Sequence, residues 1–330
     1  MNNTLIIYSL ISFFILFLSA RISYKLNLVD TPNKRKIHSK PTVYTGGIAI
    51  SIALVFSILI LDISDNYLNL ILSMSFLISL VGLIDDKFSL NVGGKLSLQI
   101  IPIFYLVFFE NFFLKDLGDY SYFKLELGAF VMPFSLICVL FLINAFNYFD
   151  GLDGTLGFTS ISVLAILYFL ISDQNLQLFL IIIFVPLSIF LCFNLELFKF
   201  PKMFLGDSGS LLIGFIISFI LIYLANRNYI HPIILAWSIV IFVYEFLSIN
   251  IFKLKNNKNP FKPGQDHLHH ILLKKTKSLF LTNFYISIAN VILFIVGYNC
   301  FLLTSPLFSL FLFIILFIFF LILRNKILRY

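Results

Sequence analysis

Long apolar runs broken by short polar stretches set the pattern of this chain from one end to the other. A helix needs about 20 apolar residues to cross a bilayer. Runs of that order recur near 4–24, 46–63, 68–84, 96–109, 129–145, 156–172, 176–193, 211–225, 231–252, 283–303 and 306–323, which predicts eleven spans. The run 96–109 is short, and Gly214 and Pro232 fall where they can kink or shorten a helix. The first run has no basic stretch before it and no small-x-small site after it, so it reads as a span rather than a signal peptide. The longest stretch between spans on the other face, Glu110–Gly128, alternates polar and apolar positions and predicts a small hairpin.

Composition points the same way. Hydrophobic residues make up 60% of the 330, and charged residues 12%; a soluble domain runs near 45–50% and about 25%. That excludes a water-soluble enzyme, a disordered chain and a nucleic-acid-binding domain. The expected fold class is all-α, a polytopic membrane protein forming one multi-span domain over 1–330. Cys138, Cys192 and Cys300 fall within apolar runs with no CxxC pair, and read as small hydrophobes. The 42 Phe read as lipid-facing bulk.

The net charge of +7 bears on topology before it bears on partners. Sorted by alternate loops, 20 of the 23 Lys and Arg fall on one side, and only Lys115, Lys124 and Arg227 on the other. The imbalance predicts an N-terminus outside and a C-terminus in the cytoplasm. It also supports an odd number of spans, since one missed span scrambles the sorting downstream.

The unusual polar residues cluster in five of the predicted cytoplasmic segments, 27–45, 85–95, 144–155, 194–210 and 253–281. The first reads DTPNKRKIHSKPTVYTGG, with Lys34, Arg35 and His38 among its basic residues. Such residues attract anionic headgroups or phosphates, although an ordinary positive-inside loop has the same charge. The second, GLIDDKFSLNVGGKLSLQ, ends a span on Asp85 and Asp86. Adjacent carboxylates repel and are costly to desolvate, so a cation is expected nearby: Lys95, or magnesium with phosphate groups. A solvated helix end is the plain alternative. In the third, NAFNYFDGLDG, Asn144, Asn147, Asp150 and Asp153 recur every three residues, so a helix would place them on roughly one face. Hard oxygen ligands of this kind suit magnesium and the polar edges of a nucleotide. In the fourth, FLGDSG, Asp207 lies between Gly206 and Gly209 at a helix start. It can serve as an N-cap or, beside the third cluster, as a metal ligand. The fifth holds His267, His269 and His270 among lysines. Histidines there suit phosphate or sugar oxygens, while a zinc site lacks a nearby cysteine and a fourth ligand.

The ordered set DTPNKRKIH, GLIDDK, NAFNYFDGLDG, FLGDSGS and HLHH resembles the polyprenyl-phosphate N-acetylhexosaminyl-1-phosphate transferases. It is most similar to the bacterial undecaprenyl-phosphate N-acetylglucosaminyl-1-phosphate transferases of glycosyltransferase family 4, which start O-antigen, enterobacterial common antigen or teichoic-acid linkage synthesis. The phospho-muramoyl-pentapeptide transferase is a more distant sibling. The resemblance covers Asp30 to His270. It implies transfer of a sugar-1-phosphate from a UDP-N-acetylhexosamine to undecaprenyl phosphate in a bacterial inner membrane, with release of UMP at the cytoplasmic face. It implies a magnesium ion, with manganese as a substitute, and leaves a homodimer open. By the same resemblance Asn147 and Asp207 hold the metal, and Asp85 and Asp86 sit at the lipid phosphate. Asp153 meets the uracil, with Asp150 and Asn144 shaping the pocket. Lys95 neutralises a phosphate, and His267, His269 and His270 contact the diphosphate or amino sugar. Both reactants are anions, so neutralising charge is the physical requirement.

Some positions depart from the family's pattern. Gly264, Gln265 and Asp266 stand where Asp-Arg-Gln is usual, so an arginine that grips the donor phosphate is missing. The acid late in the ninth span is Glu245, one methylene longer, and Val43 replaces a proline. These leave the reaction class standing and the sugar open among N-acetylglucosamine, N-acetylgalactosamine, N-acetylquinovosamine and N-acetylfucosamine. A rival class is an ion-coupled transporter, but that needs acids near mid-bilayer and inverted repeats. Here the acids lie at span ends and no repeat is visible.

Overall fold

The computed structural model describes residues 2–32, 40–61, 63–259, 264 and 267–327. Its helices are α1 (Asn2–Lys25), α2 (Gly46–Ile60), α3 (Asn66–Phe88), α4 (Val92–Phe104), α5 (Val131–Phe149), α6 (Thr155–Leu170) and α7 (Gln174–Asn194), followed by α8 (Gly206–Asn226), α9 (Pro232–Ser238), α10 (Val240–Lys255), α11 (Leu268–Thr276), α12 (Leu279–Leu303) and α13 (Pro306–Ile327). Short strands β1 (Val29–Asp30), β2 (Thr42–Val43), β3 (Asp116–Asp119) and β4 (Lys124–Glu126) form two antiparallel pairs. Among the described residues, eight helices are long and apolar enough to cross a membrane, and nine if the bent pair α9–α10 is one span. α2 and α6 are apolar too, but at 15 and 16 residues they fall short of the usual length. Every apolar run of the sequence lies on a helix; the expected count of eleven rests on how these short and bent ones are counted. The hairpin expected after Glu110 is β3–β4, tied by Lys124 Nζ to Asp116 at 3.0 Å.

Local chemistry fixes the ends and the breaks. Asp65 starts α3 by accepting the N–H groups of Tyr67 (2.8 Å) and Leu68 (3.2 Å), and Asp173 starts α7 through Leu176 N–H at 2.9 Å. Pro102 interrupts the hydrogen-bond ladder of α4, and the next turn, Tyr105–Phe109, is a π-helix. α9 and α10 meet at Ile239 with a bend of 75°. A break in an apolar helix strands backbone groups. Asn290 of α12 meets two of them, donating to Ser238 C=O at 3.0 Å and accepting from Ile241 N–H at 3.3 Å.

The chain divides into two compact units, Met1–Pro102 with Ile171–Ile216, and Ile103–Leu170 with Ile217–Tyr330. In the first, α2 packs on α1, α3 and α7, and Tyr8 of α1 donates to Ile182 C=O of α7 at 2.9 Å. In the second, α12 is central and packs on α6, α9, α10 and α13, while α5 packs on α10. Trp237 is fully buried, lies over Gly297 of α12, and donates to Ser309 Oγ of α13 at 2.9 Å.

Candidate active site

In the first unit four charged side chains converge from three helix ends. Asp85 and Asp86 lie in the last turn of α3, Lys95 in the first turn of α4 and Asp207 in the first turn of α8. The Lys95 ammonium bridges Asp85 Oδ2 at 2.8 Å and Asp207 Oδ2 at 2.5 Å. Asp85 Oδ1 also accepts Leu90 N–H at 2.8 Å, across the left-handed residue Ser89 that ends α3. Asp86 does a different job. Its two oxygens accept the N–H groups of Asp207 (3.0 Å) and Ser208 (3.3 Å), so it caps α8 from a different helix. Asp207 is therefore not the cap of its own helix, and its carboxylate goes to Lys95.

Backbone contacts set this arrangement. Val43 bridges in parallel to Met203, Gly46 N–H donates to Phe204 C=O at 3.0 Å, and Gly47 N–H donates to Leu205 C=O at 2.9 Å. The starts of α2 and α8 thus run side by side. A Cβ on Gly47 would strike the backbone of Gly209 and Ser208, and one on Gly82 the backbone of Asp207 and Ser208. Gly206 takes φ +71°, with Asp86 Oδ2 and Tyr44 C=O each 2.6 Å from where a Cβ would lie. That conformation is nearly free for glycine and strained for other residues. Tyr44 lies outside the spans, and burial, then the negative charges of Asp86 and Asp30, raises its hydroxyl above the usual range.

The second unit carries the amide, acid and histidine clusters. Asn144 and Asn147 lie on α5, which ends at Phe149; Asp150 is its C-cap and Asp153 belongs to the turn before α6. The three-residue repeat therefore shares a helix face only as far as Asn147. Asn283 of α12 holds that turn: it donates to Asp153 C=O at 2.8 Å and accepts from Thr155 Oγ1 at 2.7 Å, next to Gly154 at φ +78°. His267, His269 and His270 form one aromatic group. His267 stacks on His269 with ring centres 5.3 Å apart and planes 9° apart, and His269 lies 4.4 Å from His270. Tyr148 meets His267 edge-on at 5.3 Å, and the Lys253 ammonium lies 5.6 Å from the Tyr148 ring centre. His269 is 1% exposed and rests on Gly151, where its ring occupies the space a Cβ would need. Neither of its ring nitrogens has a hydrogen-bond partner among the described residues. Burial, then its neighbours His270 and His267, pushes its ionisation well below the ordinary imidazole range, so the ring is neutral.

The structure brings Asp85, Asp86, Lys95 and Asp207 together in one unit, and His267, His269 and His270 together in the other. The expected metal pair divides between them, with Asp207 in the first unit and Asn147 in the second. Lys34, Arg35 and His38 lie outside the described residues, as do Gln265 and Asp266. Cys138, Cys192 and Cys300 are free thiols of intermediate burial. Sequence reasoning passed over Asn283, although an amide opening an apolar run marks a polar contact. It also counted Arg324 only as a positive-inside charge; the side chain is buried, and its guanidinium donates to Glu245.

Residues 68–225 match glycosyl transferase family 4. The chain is 30% identical to an undecaprenyl-phosphate alpha-N-acetylglucosaminyl 1-phosphate transferase of Yersinia pestis, over 83% of this chain and 77% of the relative. It is 28% identical to the protein of the same name from Escherichia coli O157:H7 over 83% and 78%, and 29% identical to a probable undecaprenyl-phosphate N-acetylglucosaminyl 1-phosphate transferase of Bacillus subtilis over 83% and 79%. Helices built for a bilayer, charged clusters gathered at helix ends and likeness sustained along most of both chains converge on one conclusion: the chain belongs to glycosyl transferase family 4 and is a multi-pass membrane sugar-phosphate transferase.

Proposed function

We propose that the protein transfers N-acetylglucosamine-1-phosphate from its UDP-sugar to undecaprenyl phosphate at the cytoplasmic face of a bacterial inner membrane. UMP leaves, and undecaprenyl-diphosphate-sugar begins a cell-surface polysaccharide. The relatives' names support the acceptor and the default sugar. The same reaction with the N-acetyl-galactosamine, -quinovosamine or -fucosamine donor remains the alternative. The lopsided distribution of Lys and Arg supports an N-terminus outside, a C-terminus inside and eleven spans, α2, α6 and the bent α9–α10 each counted as one.

The observation that carries the reading is the Asp85–Lys95–Asp207 cluster, seated by Asp86. Two carboxylates meet one ammonium and Asp86 stands beside them, which leaves an excess of negative charge and hard oxygen donors of the kind that suits magnesium. Asp207 would hold the ion, and a bound magnesium would neutralise phosphate charge during transfer. Lys95 is the protein's own cation at this place and screens the two anionic reactants from each other. Asp86, with both oxygens on the amides of α8, organises Asp207, which leaves Asp85 as the better candidate to accept the proton of the lipid phosphate. In the second unit Asp153, Asp150 and Asn144 bind the nucleoside, and the neutral His269 with His267 and His270 contacts the donor's diphosphate or sugar.

The test is release of UMP by purified protein in detergent with undecaprenyl phosphate and magnesium, across a panel of UDP-N-acetylhexosamines. UMP with one donor, abolished by EDTA and by Asp207→Asn, is the expected result. Full activity in EDTA, or in Asp207→Asn, overturns the metal assignment. No UMP with any donor overturns the reaction.

A further inference from the structure

The histidine cluster has a support that comes from the last helix. Glu245 of α10 is fully buried, and Arg324, in the last turns of α13, is 5% exposed. The Arg324 guanidinium donates to Glu245 Oε2 and, at 2.7 Å, to Ser248 Oγ. The other carboxylate oxygen, Glu245 Oε1, accepts the N–H of Leu268 at 2.9 Å and lies 3.6 Å from His267 Nδ1. Leu268 opens α11, the helix that carries His269 and His270. His267, in the capping position, makes no side-chain cap bond. The free amide at the start of α11 is therefore met by an acid from another helix.

A buried carboxylate without a cation is costly, and a chain avoids that cost by protonating the group or moving it out to water. Arg324 removes the choice. With its guanidinium in place, Glu245 stays an anion with one oxygen free to hold α11. The rings of the cluster need that hold. His269 has no hydrogen bond of its own among the described residues to set its orientation, so its place over Gly151 follows from where α11 starts. We propose that Arg324 is a positioning residue for the transferase: paired with Glu245, it fixes the first turn of α11 and so presents His267 and His269 to the donor. The inference rests on the reading that these histidines contact the donor. It also gives Glu245, the longer acid at this position, a purpose that the sequence did not disclose.

The experiment compares full-length Arg324→Met, Arg324→Lys and the double variant Glu245→Gln with Arg324→Met. Three quantities are read: UMP release with UDP-N-acetylglucosamine, thermal midpoint in detergent, and amide hydrogen exchange over 267–271. Arg324→Met is expected to lose about tenfold or more in kcat/KM per folded molecule, mostly through donor KM, with faster exchange in that segment. Arg324→Lys keeps part of the activity. The double variant recovers most of it, because a glutamine carbonyl still accepts Leu268 N–H and leaves no buried charge to neutralise. Arg324→Met with a lowered midpoint but unchanged kcat, donor KM and segment exchange would show a purely structural residue and overturn the proposal. So would a double variant no better than the single. If wild-type protein releases no UMP, the reaction assigned above fails, while the exchange comparison still decides whether Arg324 seats α11.

Discussion

The two polar clusters are seated by opposite means. In the first unit, backbone packs directly on backbone, Gly47 against Gly209 and Ser208 and Gly82 against Asp207 and Ser208, and one side chain, Asp86, adds a cap on two amides of α8. In the second, side chains do the holding: Arg324 on Glu245, Glu245 on Leu268 N–H, Asn283 on the turn that bears Asp153. Backbone seats have no rotamers to give and tie the cluster to the stability of the whole unit. Side-chain seats can yield locally, so the second cluster can lose its geometry while its helices stay folded.

Alanine at two glycines separates these cases, and with the largest effect. In Gly47→Ala the new methyl meets main-chain atoms that belong to α8, and neither helix can step aside. The expected cost is about 3 kcal/mol or more, seen as a large fall in thermal midpoint or as loss of folded protein. In Gly151→Ala the methyl meets the ring of His269, the movable end of a side chain. That variant should fold, at a cost near 1 kcal/mol, yet lose about tenfold or more in activity because the ring is displaced. A Gly47→Ala protein as stable as wild type, or a Gly151→Ala protein with full activity, breaks the comparison.

Asn283→Ala sharpens it with a smaller effect. The amide is 2% exposed and bonds both Asp153 C=O and Thr155 Oγ1. Its loss leaves the buried Thr155 hydroxyl and the part-buried Asp153 C=O without that partner, at a cost of about 1–3 kcal/mol. The turn at Gly154 loosens, and affinity for UDP, read by calorimetry, should fall more than the thermal midpoint suggests. An unchanged UDP affinity would mean that this turn does not bind the nucleoside.

The same contrast explains what was legible in the sequence. Apolar runs alone located every long helix, because a bilayer leaves the backbone few options. The pair Asp85 and Asp86 announced a cation, and Lys95 supplies one. Which of two adjacent acids would face Lys95 and which would cap α8 was not legible, since that follows from the contacts of Gly82 and Gly206 with segments more than 100 residues away. The three-residue repeat continues through Asp153, but the backbone turns at Gly151–Gly154, so the shared face ends with α5 at Phe149. Arg324 looked like one more cytoplasmic charge. Only the tertiary path of α13 past α10 makes it the partner of Glu245.

The smallest expected effect is a pH dependence confined to the second cluster. His269 is surrounded by His267 and His270 on its own segment, by Phe149 and the Gly151 turn after α5, and by the Glu245–Arg324 pair of α10 and α13. Burial and the two histidines depress its ionisation well below the ordinary value of 6.5, and the charge of Glu245 only partly opposes them. An unfolded chain then binds a proton near pH 6.5 that the folded chain refuses, so protonation favours unfolding. The contribution of His269 to stability is complete above that pH and is lost as pH falls below it, towards the depressed folded value. The measurement is the thermal midpoint against pH for wild type and for His269→Gln, which cannot titrate there. Wild type should lose stability faster on the acid side of pH 6.5, and above it the two curves should run at a constant separation. Curves parallel over the whole range would mean that the folded ring takes up its proton as readily as the unfolded one, as a solvated imidazole does, and would remove the buried neutral imidazole from the proposed donor site.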